Sequence, residues 1–217
     1  MDYFRAILIS QEVSLRAYEL CAEVLRYNPG DYHAWQHRRR CIDGLGILTE
    51  VELSFINSVG LALEKNFQIW HHRRCIMEMH KRDFDKEKEY LSDIFCSDAK
   101  NYHAWSYRLW FIERFNLWEG ELEFVESQLH EGQVTNNSLW SYRYFLIMKT
   151  QAFTQDLVAR ELAFTMDCLQ RFNMRNEAAW VYLKGLLSQS KAEQEASQAG
   201  NVKRWFILDF PQVKEWI

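Results

Sequence analysis

The polar residues around position 66 have types and spacing that suit an anion site. Lys65 stands directly before Asn66, a residue that favours the start of a helix. A lysine there would add its charge to a helix N-terminus, which itself favours anions. Gln68 could donate its amide hydrogens to a carboxylate without titrating. A solvated lysine and a polar surface glutamine would explain the same pattern, so the residues alone leave both interpretations open.

Two histidines at helical spacing could face one metal ion. His33 and His37 are four residues apart and would share one side of a helix. The positions 35 and 70 residues later hold Gln68 with His72 and His103 with Tyr107. This recurrence favours packing or an interface over a ligand pair. The chain also lacks a cysteine cluster of zinc spacing, a GxxxxGK[ST] loop and a nucleophile elbow, so no complete active site is visible in it.

Tryptophan recurs along the chain and marks a repeat. It stands at positions 35, 70, 105, 140 and 180, with spacings of 35, 35, 35 and 40 residues. The position four residues before each tryptophan holds Asp31, Asn66, Asn101, Asn136 and Asn176. The position two residues after it holds His37, His72, Tyr107, Tyr142 and Tyr182, and the position three residues after it holds Arg38, Arg73, Arg108, Arg143 and then Leu183. Several matched columns at one period indicate a stacked repeat array.

The columns predict the second helix of a helical hairpin in each repeat. Asn or Asp is a good N-cap, worth ~1 kcal/mol against alanine. The tryptophan then ends the first turn, where we interpret it as core packing. The arginine lies three residues further, close to the same face, and its recurrence predicts pairing with acidic residues of the neighbouring helix rather than phosphate binding. We therefore predict an all-α fold, a right-handed α-α superhelix (solenoid) of five helical hairpins in one domain over residues 1–217.

Periodic apolar segments between these helices supply the first helix of each hairpin. They cover residues 14–27, 49–59, 87–95, 119–129 and 156–172. Thr49 and Glu52 form a capping-box pattern at the start of the second segment. The longer last spacing predicts an insertion in the turn around Thr150 to Thr154. Residues 188–217 are predicted to cap the array, with a frayed helix or linker over 188–200 and short helices over 202–208 and 213–217.

Composition narrows the class of protein. Eight glycines and two prolines among 217 residues are too few for the many turns of an all-β sandwich. The net charge of −4 gives no general reason to expect nucleic-acid binding, which usually shows as a basic footprint. Five scattered cysteines and an N-terminus without an export-signal pattern favour reduced thiols and a cytoplasmic location. No apolar run is long enough to insert across a membrane.

The Asn-x-x-x-Trp-x-[His/Tyr]-Arg motif resembles the repeat of protein prenyltransferase α subunits. The closest stretches are Asn66-Phe-Gln-Ile-Trp-His-His-Arg-Arg74, Asp98-Ala-Lys-Asn-Tyr-His-Ala-Trp105, Asn136-Asn-Ser-Leu-Trp140 and Asn176-Glu-Ala-Ala-Trp-Val-Tyr-Leu-Lys-Gly185. The resemblance runs from about Ser14 to Leu187. It favours the α subunit shared by farnesyltransferase and geranylgeranyltransferase type I.

The resemblance implies a crescent-shaped chain that is active only in a heterodimer with a β subunit. In that family the β subunit holds the catalytic zinc, and magnesium accompanies the diphosphate; the α subunit holds no cofactor of its own. The enzyme transfers a farnesyl or geranylgeranyl group from its diphosphate to the cysteine of a C-terminal CaaX motif. Zinc makes this cysteine a thiolate, and the leaving diphosphate needs cations and hydrogen-bond donors.

The resemblance also assigns roles to single positions. Lys65 matches the lysine near the diphosphate, and Gln68 matches the glutamine that binds the CaaX carboxylate. Asn101, Tyr102 and His103 match a group near the isoprenoid diphosphate. Tyr32 and Phe67 are expected at the β-subunit interface, although Phe67 departs from the family, which usually has tyrosine there. For Asn101 the N-cap role is already sufficient.

Two other functions remain open on the sequence. A Rab-directed geranylgeranyltransferase α subunit would keep the fold and change the substrate, but the stretch from Asp98 to Trp105 speaks against it. A non-enzymatic scaffold like a tetratricopeptide protein would bind peptides as a stable monomer, without zinc or isoprenoid diphosphate. The choice between farnesyl and geranylgeranyl groups, the protein substrates and the identity of the β subunit are not encoded in this chain.

Overall fold

A computed structural model describes residues 2–60, 65–79, 83–172 and 175–197. Side chains are described for these residues except 60 and 189–197. The described residues form α-helices joined by short turns, and a five-residue π-helix, Leu129–Gln133, follows the eighth of them. The helices are α1 (Asp2–Ser10), α2 (Leu15–Tyr27), α3 (Tyr32–Leu45), α4 (Thr49–Gly60), α5 (Phe67–Met79), α6 (Phe84–Ser97), α7 (Tyr102–Phe115), α8 (Glu121–Gln128), α9 (Asn137–Thr150), α10 (Gln155–Arg171) and α11 (Glu177–Ser197).

The chain divides into two compact units, Met1–Phe111 and Ile112–Ile217, with the boundary inside α7. In the first unit α2 packs on α3, α4 packs on α5, and α3 packs on α5 of the next hairpin. The second unit repeats this pattern with α8 on α9, α10 on α11, and α9 on α11. The predicted all-α fold of stacked helical hairpins is confirmed. The single domain and the crescent stay predictions.

The helices begin where the N-cap column predicts. Asp31 accepts hydrogen bonds from the backbone N–H groups of His33 and Ala34, at 2.9 and 3.0 Å. Asn136 accepts one from Ser138 at 3.0 Å. These bonds satisfy N–H groups that have no partner within the helix. The first residue after each cap is therefore fixed as the first residue of the helix.

The tryptophan column forms part of the core. Trp35, Trp70, Trp105 and Trp140 are buried, and Trp180 is half-buried. The indole N–H also has a fixed partner, the carbonyl oxygen six residues earlier. This bond measures 2.8 Å for Trp35, 2.9 Å for Trp105 and 2.6 Å for Trp140. Trp35, Trp105 and Trp140 thus pack their rings inside and anchor the turns before their own helices.

The arginine column pairs with acidic residues of the next hairpin, as predicted. The pairs are Arg38 with Glu52, Arg73 with Glu87 and Arg143 with Glu161, at Nε–carboxylate distances of 2.8, 2.6 and 2.7 Å. All of these side chains are buried. In each case the arginine lies on the second helix of one hairpin, and the glutamate lies on the first helix of the next. The pairs therefore join successive repeats within each unit.

A third side chain contacts the glutamate of each buried pair. It stands two positions after the tryptophan of the repeat to which the glutamate belongs. His72 contacts Glu52, Tyr107 donates to Glu87 and Tyr182 donates to Glu161. Each glutamate thus receives hydrogen bonds from the repeat before it and from its own repeat. These hydrogen bonds compensate the buried carboxylate for the loss of its hydration.

The predicted capping box at Thr49 is wrong. Glu52 does not reach back to the helix start but points into the core, where Arg38 and His72 contact its carboxylate. The Thr49 hydroxyl is buried and has no hydrogen-bond partner. The buried arginine requires a counter-charge, and this long-range pairing overrides the local capping pattern.

The predicted insertion at residues 150–154 is also wrong. The turn between α9 and α10 spans four residues, 151–154, whereas the turn between α7 and α8 spans five, 116–120. Most of the extra length lies in α10, which has 17 residues against 13 in α2 and 14 in α6. Residues added within a helix lengthen the spacing of the tryptophans without lengthening the turn before that helix.

The first and last of the described helices differ from what the sequence predicts. Helix α1 was not predicted; it buries Phe4 and Ile7 against the first hairpin. At the other end α11 continues to Ser197, into the segment predicted as a frayed helix or linker. The short helices predicted over 202–208 and 213–217 lie outside the described residues. In the part of the chain that is described, no helix is long and apolar enough to cross a membrane.

Candidate functional site

The first turn of α5 fixes the position of the predicted anion-binding residues. The Asn66 side chain accepts hydrogen bonds from the backbone N–H groups of Gln68 and Ile69, at 2.8 and 3.3 Å. This cap makes Phe67 the first helical residue and leaves Lys65 in the turn before it. Lys65 is therefore placed at the positive end of the helix dipole, as the sequence predicts.

Lys65 reaches the neighbouring repeat. Its side chain is 80% exposed, and its Nζ lies 3.7 Å from Oδ2 of Asp98. Asp98 follows the last residue of α6 and begins the turn that leads into α7. The ammonium group thus lies beside the segment that contains Asn101, Tyr102 and His103.

The turn before α7 holds these three residues in different environments. Asn101 is 1% exposed, and its side chain accepts a hydrogen bond from the Ala104 N–H at 3.0 Å, which caps α7. Tyr102, by contrast, is 77% exposed. His103 is half-buried and meets the Tyr102 ring edge to face, with centroids 5.6 Å apart. Tyr102 and His103 are open to a ligand, and the geometry of Asn101 is that of a cap.

Gln68 and Phe67 lie on the first turn of α5. Gln68 is half-buried. Phe67 is exposed and stacks on His71, with centroids 6.0 Å apart and an interplanar angle of 4°. This stack fixes the Phe67 ring against its own helix while one face stays open to solvent. It keeps the ring packing that a tyrosine would have there and lacks the hydroxyl.

Exposed aromatic residues occupy the same position in three successive repeats. Tyr32, Phe67 and Tyr102 are the first residues of α3, α5 and α7, and their exposed fractions are 64%, 58% and 77%. Each lies three residues before a buried tryptophan. We call this set the aromatic row. Aromatic rings that are exposed in the free chain are typical anchors of protein interfaces.

Asp98 is the residue of this region that sequence reasoning missed. It stands in the motif that carried the resemblance but received no role. An opposite charge 33 residues after Lys65, close to the repeat period, is the signal that could have indicated the pair. Spacing alone could not separate this pairing from a turn residue, because aspartate also favours turns.

A buried histidine lies between the first and second hairpins. His72 Nε2 is 2.8 Å from Glu52 Oε1, and its Nδ1 is 3.3 Å from Nη1 of Arg39. Burial lowers the pKa of His72 more than the Glu52 carboxylate raises it. The imidazole is therefore neutral, with Nε2–H donating to the carboxylate and Nδ1 accepting from the guanidinium.

Glu52 is held in its charged form. Burial alone would raise its pKa, but hydrogen bonds from His72 and Arg38 outweigh this cost and lower it. The carboxylate is consequently ionised while the histidine beside it is neutral. In this position Glu52 and His72 join two hairpins and have no access to solvent.

The described residues offer no metal site. No group of three or more His, Cys, Asp or Glu side chains in this part of the chain could hold an ion. His37, one of the two histidines considered for a metal, is buried, and its Nε2 hydrogen-bonds to the Glu12 carbonyl oxygen at 2.8 Å.

Stacked helical hairpins joined by buried Arg–Glu pairs define a helical repeat protein. The model of the protein prenyltransferase alpha subunit repeat matches residues 14–45, 50–80, 84–115 and 158–190, more than half of the chain. The chain therefore belongs to the protein prenyltransferase alpha subunit family. The hairpin of α8 and α9 falls outside these matches but keeps the buried Trp140 and the Arg143 pair.

Curated relatives match shorter segments of the chain. The protein farnesyltransferase/geranylgeranyltransferase type-1 subunit alpha of Solanum lycopersicum is 44% identical over 59 residues, 27% of this chain and 17% of the relative. The protein of that name from Schizosaccharomyces pombe is 32% identical over 69 residues, 32% of this chain and 24% of the relative. The matched segments thus span less than a quarter of the length of these relatives.

A solved structure matches nearly the whole chain. A chain of Candida albicans protein geranylgeranyltransferase-I complexed with GGPP superposes with a TM-score of 0.77 at 28% sequence identity. The match covers 92% of this chain and 70% of that chain. The fold is therefore similar over almost all of the chain.

Proposed function

We propose that this chain is the α subunit of a heterodimeric protein prenyltransferase. The complex transfers a farnesyl or geranylgeranyl group from its diphosphate to the cysteine of a C-terminal CaaX motif. The observation that carries the proposal is the candidate site at the starts of α5 and α7. There Lys65, at a helix N-terminus, lies 3.7 Å from Asp98 in the turn that bears Tyr102 and His103.

The comparisons support this choice among the members of the family. The curated relatives carry the farnesyltransferase/geranylgeranyltransferase type-1 name, which favours CaaX-directed over Rab-directed transfer. The structural relative is a geranylgeranyltransferase-I complexed with GGPP, so a related chain works in an enzyme that binds an isoprenoid diphosphate. A peptide-binding scaffold without enzymatic partners has no comparable support.

Lys65, Gln68, Tyr102 and His103 each have a chemical task in the proposed reaction. The Lys65 ammonium stabilises negative charge that builds on the diphosphate as the bond to the isoprenoid carbon breaks. The α5 dipole points the same way and adds to this effect. Tyr102 and His103 supply an aromatic surface and hydrogen-bonding groups beside it, and Gln68 donates to the carboxylate of the CaaX peptide.

The partner subunit supplies what this chain does not contain. In this proposal the zinc that makes the substrate cysteine a thiolate belongs to the β subunit, as the family resemblance implies. Magnesium with the diphosphate remains part of the same proposal. The aromatic row supplies anchoring surface for the β subunit, because its three rings are exposed in the free chain.

Co-expression with a candidate β subunit tests the proposal. A tagged chain should retain the β subunit at one-to-one stoichiometry. The purified complex, but neither chain alone, should transfer a prenyl group to a CaaX peptide when zinc is present. A CaaX peptide with cysteine replaced by serine is the matched substrate control. A stable monomer that binds no β subunit and supports no transfer would contradict the proposal and favour the scaffold.

A further inference from the structure

The turn that begins at Asp98 is built twice in this chain. At Asp98 the backbone N–H donates to Ile94 O at 2.8 Å, the side chain accepts from the Lys100 N–H at 3.2 Å, and the carbonyl accepts from the Asn101 N–H at 3.0 Å. The turn between α2 and α3 has the same three bonds around Asn28, at 2.8, 3.2 and 3.1 Å. The backbone angles also agree, with φ −137° and ψ 87° at Asp98 and φ −136° and ψ 84° at Asn28.

The two copies of the turn show that its hydrogen bonds do not depend on the negative charge of Asp98. An asparagine makes every turn bond that Asp98 makes, because the bonding atom is Oδ1 in both residues. The negative charge at position 98 is therefore not needed to form the turn. Its second oxygen, Oδ2, faces Lys65 Nζ at 3.7 Å. The charge acts on the lysine of the preceding repeat.

We propose that Asp98 is a positioning residue that holds Lys65 beside the first turn of α7, an inference that rests on the proposed function of Lys65. Lys65 has a flexible, mostly exposed side chain, and a free lysine would sample many orientations. A fixed carboxylate in the adjacent turn restricts these orientations to the side where Tyr102 and His103 lie. Orientation before the reaction lowers the cost of placing a charged group in the transition state.

The contact with Asp98 also leaves Lys65 able to move to a bound diphosphate. At 3.7 Å the contact is longer than a hydrogen bond, and the Lys65 side chain is 80% exposed while that of Asp98 is 32% exposed, so attraction rather than a fixed bond holds the ammonium. A diphosphate carries more negative charge than one carboxylate and draws the ammonium away when it binds. Asp98 thus orients Lys65 before binding without competing strongly afterwards.

The variant Asp98→Asn, assayed in the complex with the β subunit, tests this role. The turn should be kept, since Asn28 already forms it, and the melting temperature should not change. We expect kcat to fall about three- to fivefold, the scale of an exposed charge pair. The KM for the isoprenoid diphosphate should not rise, because loss of a carboxylate cannot weaken anion binding by charge. Asp83→Asn is the matched control, since Asp83 also caps a helix and contacts an exposed lysine, Lys86, at 3.4 Å.

Combination with Lys65→Ala separates the two proposals. If Asp98 acts through Lys65, adding Asp98→Asn to Lys65→Ala should cause no further loss of kcat. An unchanged kcat in Asp98→Asn, or an equal loss in both backgrounds, overturns the role of Asp98. If Lys65→Ala itself retains full kcat, the proposed function of Lys65 fails instead. A loss with Lys65→Ala and none with Asp98→Asn removes Asp98 alone.

Discussion

At the scale of single residues, buried Arg–Glu pairs recur between successive hairpins. Arg73 donates to both oxygens of Glu87, at 2.6 and 2.7 Å, and its Nη1 donates to Asn57 at 2.7 Å. Such a pair adds little net stability when it is complete, because both charges have lost their water. Removing one partner is costly, because the other charge stays buried. The pairs therefore select one register of stacking between hairpins.

The substitution Glu87→Gln tests this account. It keeps the shape of the side chain and leaves the Arg73 charge buried without a counter-ion. We expect the free energy of unfolding to fall by about 3–5 kcal/mol, measured by urea denaturation. Lys149→Gln is the control, because Lys149 contacts Glu113 at the same 2.6 Å with both side chains about half exposed. It should cost about 1 kcal/mol or less. Equal losses would show that burial does not decide the effect.

The His72 contact predicts a dependence of stability on pH. Burial lowers the pKa of His72 in the folded chain below its ordinary value, so the unfolded chain binds more protons between the two values. The free energy of unfolding should therefore fall as the pH drops below about 6.5. His72→Gln keeps a donor to Glu52 but does not titrate. Denaturation at several values between pH 7.5 and 5.5 should show a flatter dependence for this variant, and an unchanged slope would rule out His72 as its source.

The sequence predicts those structural features that local geometry or repetition determines. The caps at Asp31 and Asn66 follow from the hydrogen bonds of one helical turn. The arginine pairs could be predicted because they recur at one spacing. The capping box at Thr49 failed because Glu52 has a stronger partner in the preceding hairpin. The Lys65–Asp98 contact was missed because aspartate also favours turns, so the spacing of the two charges did not by itself indicate an ion pair.

At the scale of helices, the starts of the second helices determine where the candidate site residues lie. The same N-cap column sets the first turns of α3, α5 and α7, and each cap is followed at once by an exposed aromatic residue. The cap and the buried tryptophan together fix the rotation of each helix. A column of structural residues thus places a column of exposed ones on the surface.

The cap of α5 can be tested by two substitutions of one residue. Asn66→Ala removes the acceptor for the Gln68 and Ile69 N–H groups and should cost about 1 kcal/mol of unfolding free energy. Asn66→Asp should be close to neutral, because Asp31 caps α3 with the same bonds. Thermal denaturation compares the two variants with the parent chain. If both lose the same stability, the side-chain bond at Asn66 is not what holds the helix start.

The aromatic row makes a prediction about association. If its rings anchor the β subunit, Phe67→Ala should weaken binding at least tenfold, which corresponds to about 1.4 kcal/mol or more. The affinity can be measured by titrating labelled chain with β subunit. Tyr27→Ala is the matched control, since Tyr27 is 94% exposed but ends α2, outside the row. Equal effects of the two variants, or none at Phe67, would remove the row from the interface.

At the scale of the whole molecule, the two units are built by the same rule. In each, the second helix of one hairpin contacts the second helix of the next, and a buried arginine joins the two hairpins. Such arrays are stabilised by contacts between neighbouring repeats, so a change at one seam acts mainly on that seam. The exposed residues at the starts of the second helices remain available for a partner.

The proposed function defines what the β subunit must contribute to the reaction. A protein prenyltransferase needs a thiolate nucleophile, an isoprenoid pocket and cations for the leaving diphosphate. In our account this chain contributes Lys65 to the last of these, and the β subunit contributes the others. Loss of Lys65 should therefore impair the chemical step without preventing assembly.

Single-turnover prenyl transfer by the assembled complex is the most direct test of this account. Lys65→Ala should raise the activation barrier by roughly 2–4 kcal/mol and so slow the transfer about 30- to 1,000-fold. Binding of the β subunit should stay intact. Lys86→Ala is the control, because Lys86 is similarly exposed and also lies beside an aspartate near a helix start. It should leave the rate unchanged. A complex with Lys65→Ala that transfers the prenyl group at the parent rate would contradict the claim that this chain takes part in the reaction through Lys65.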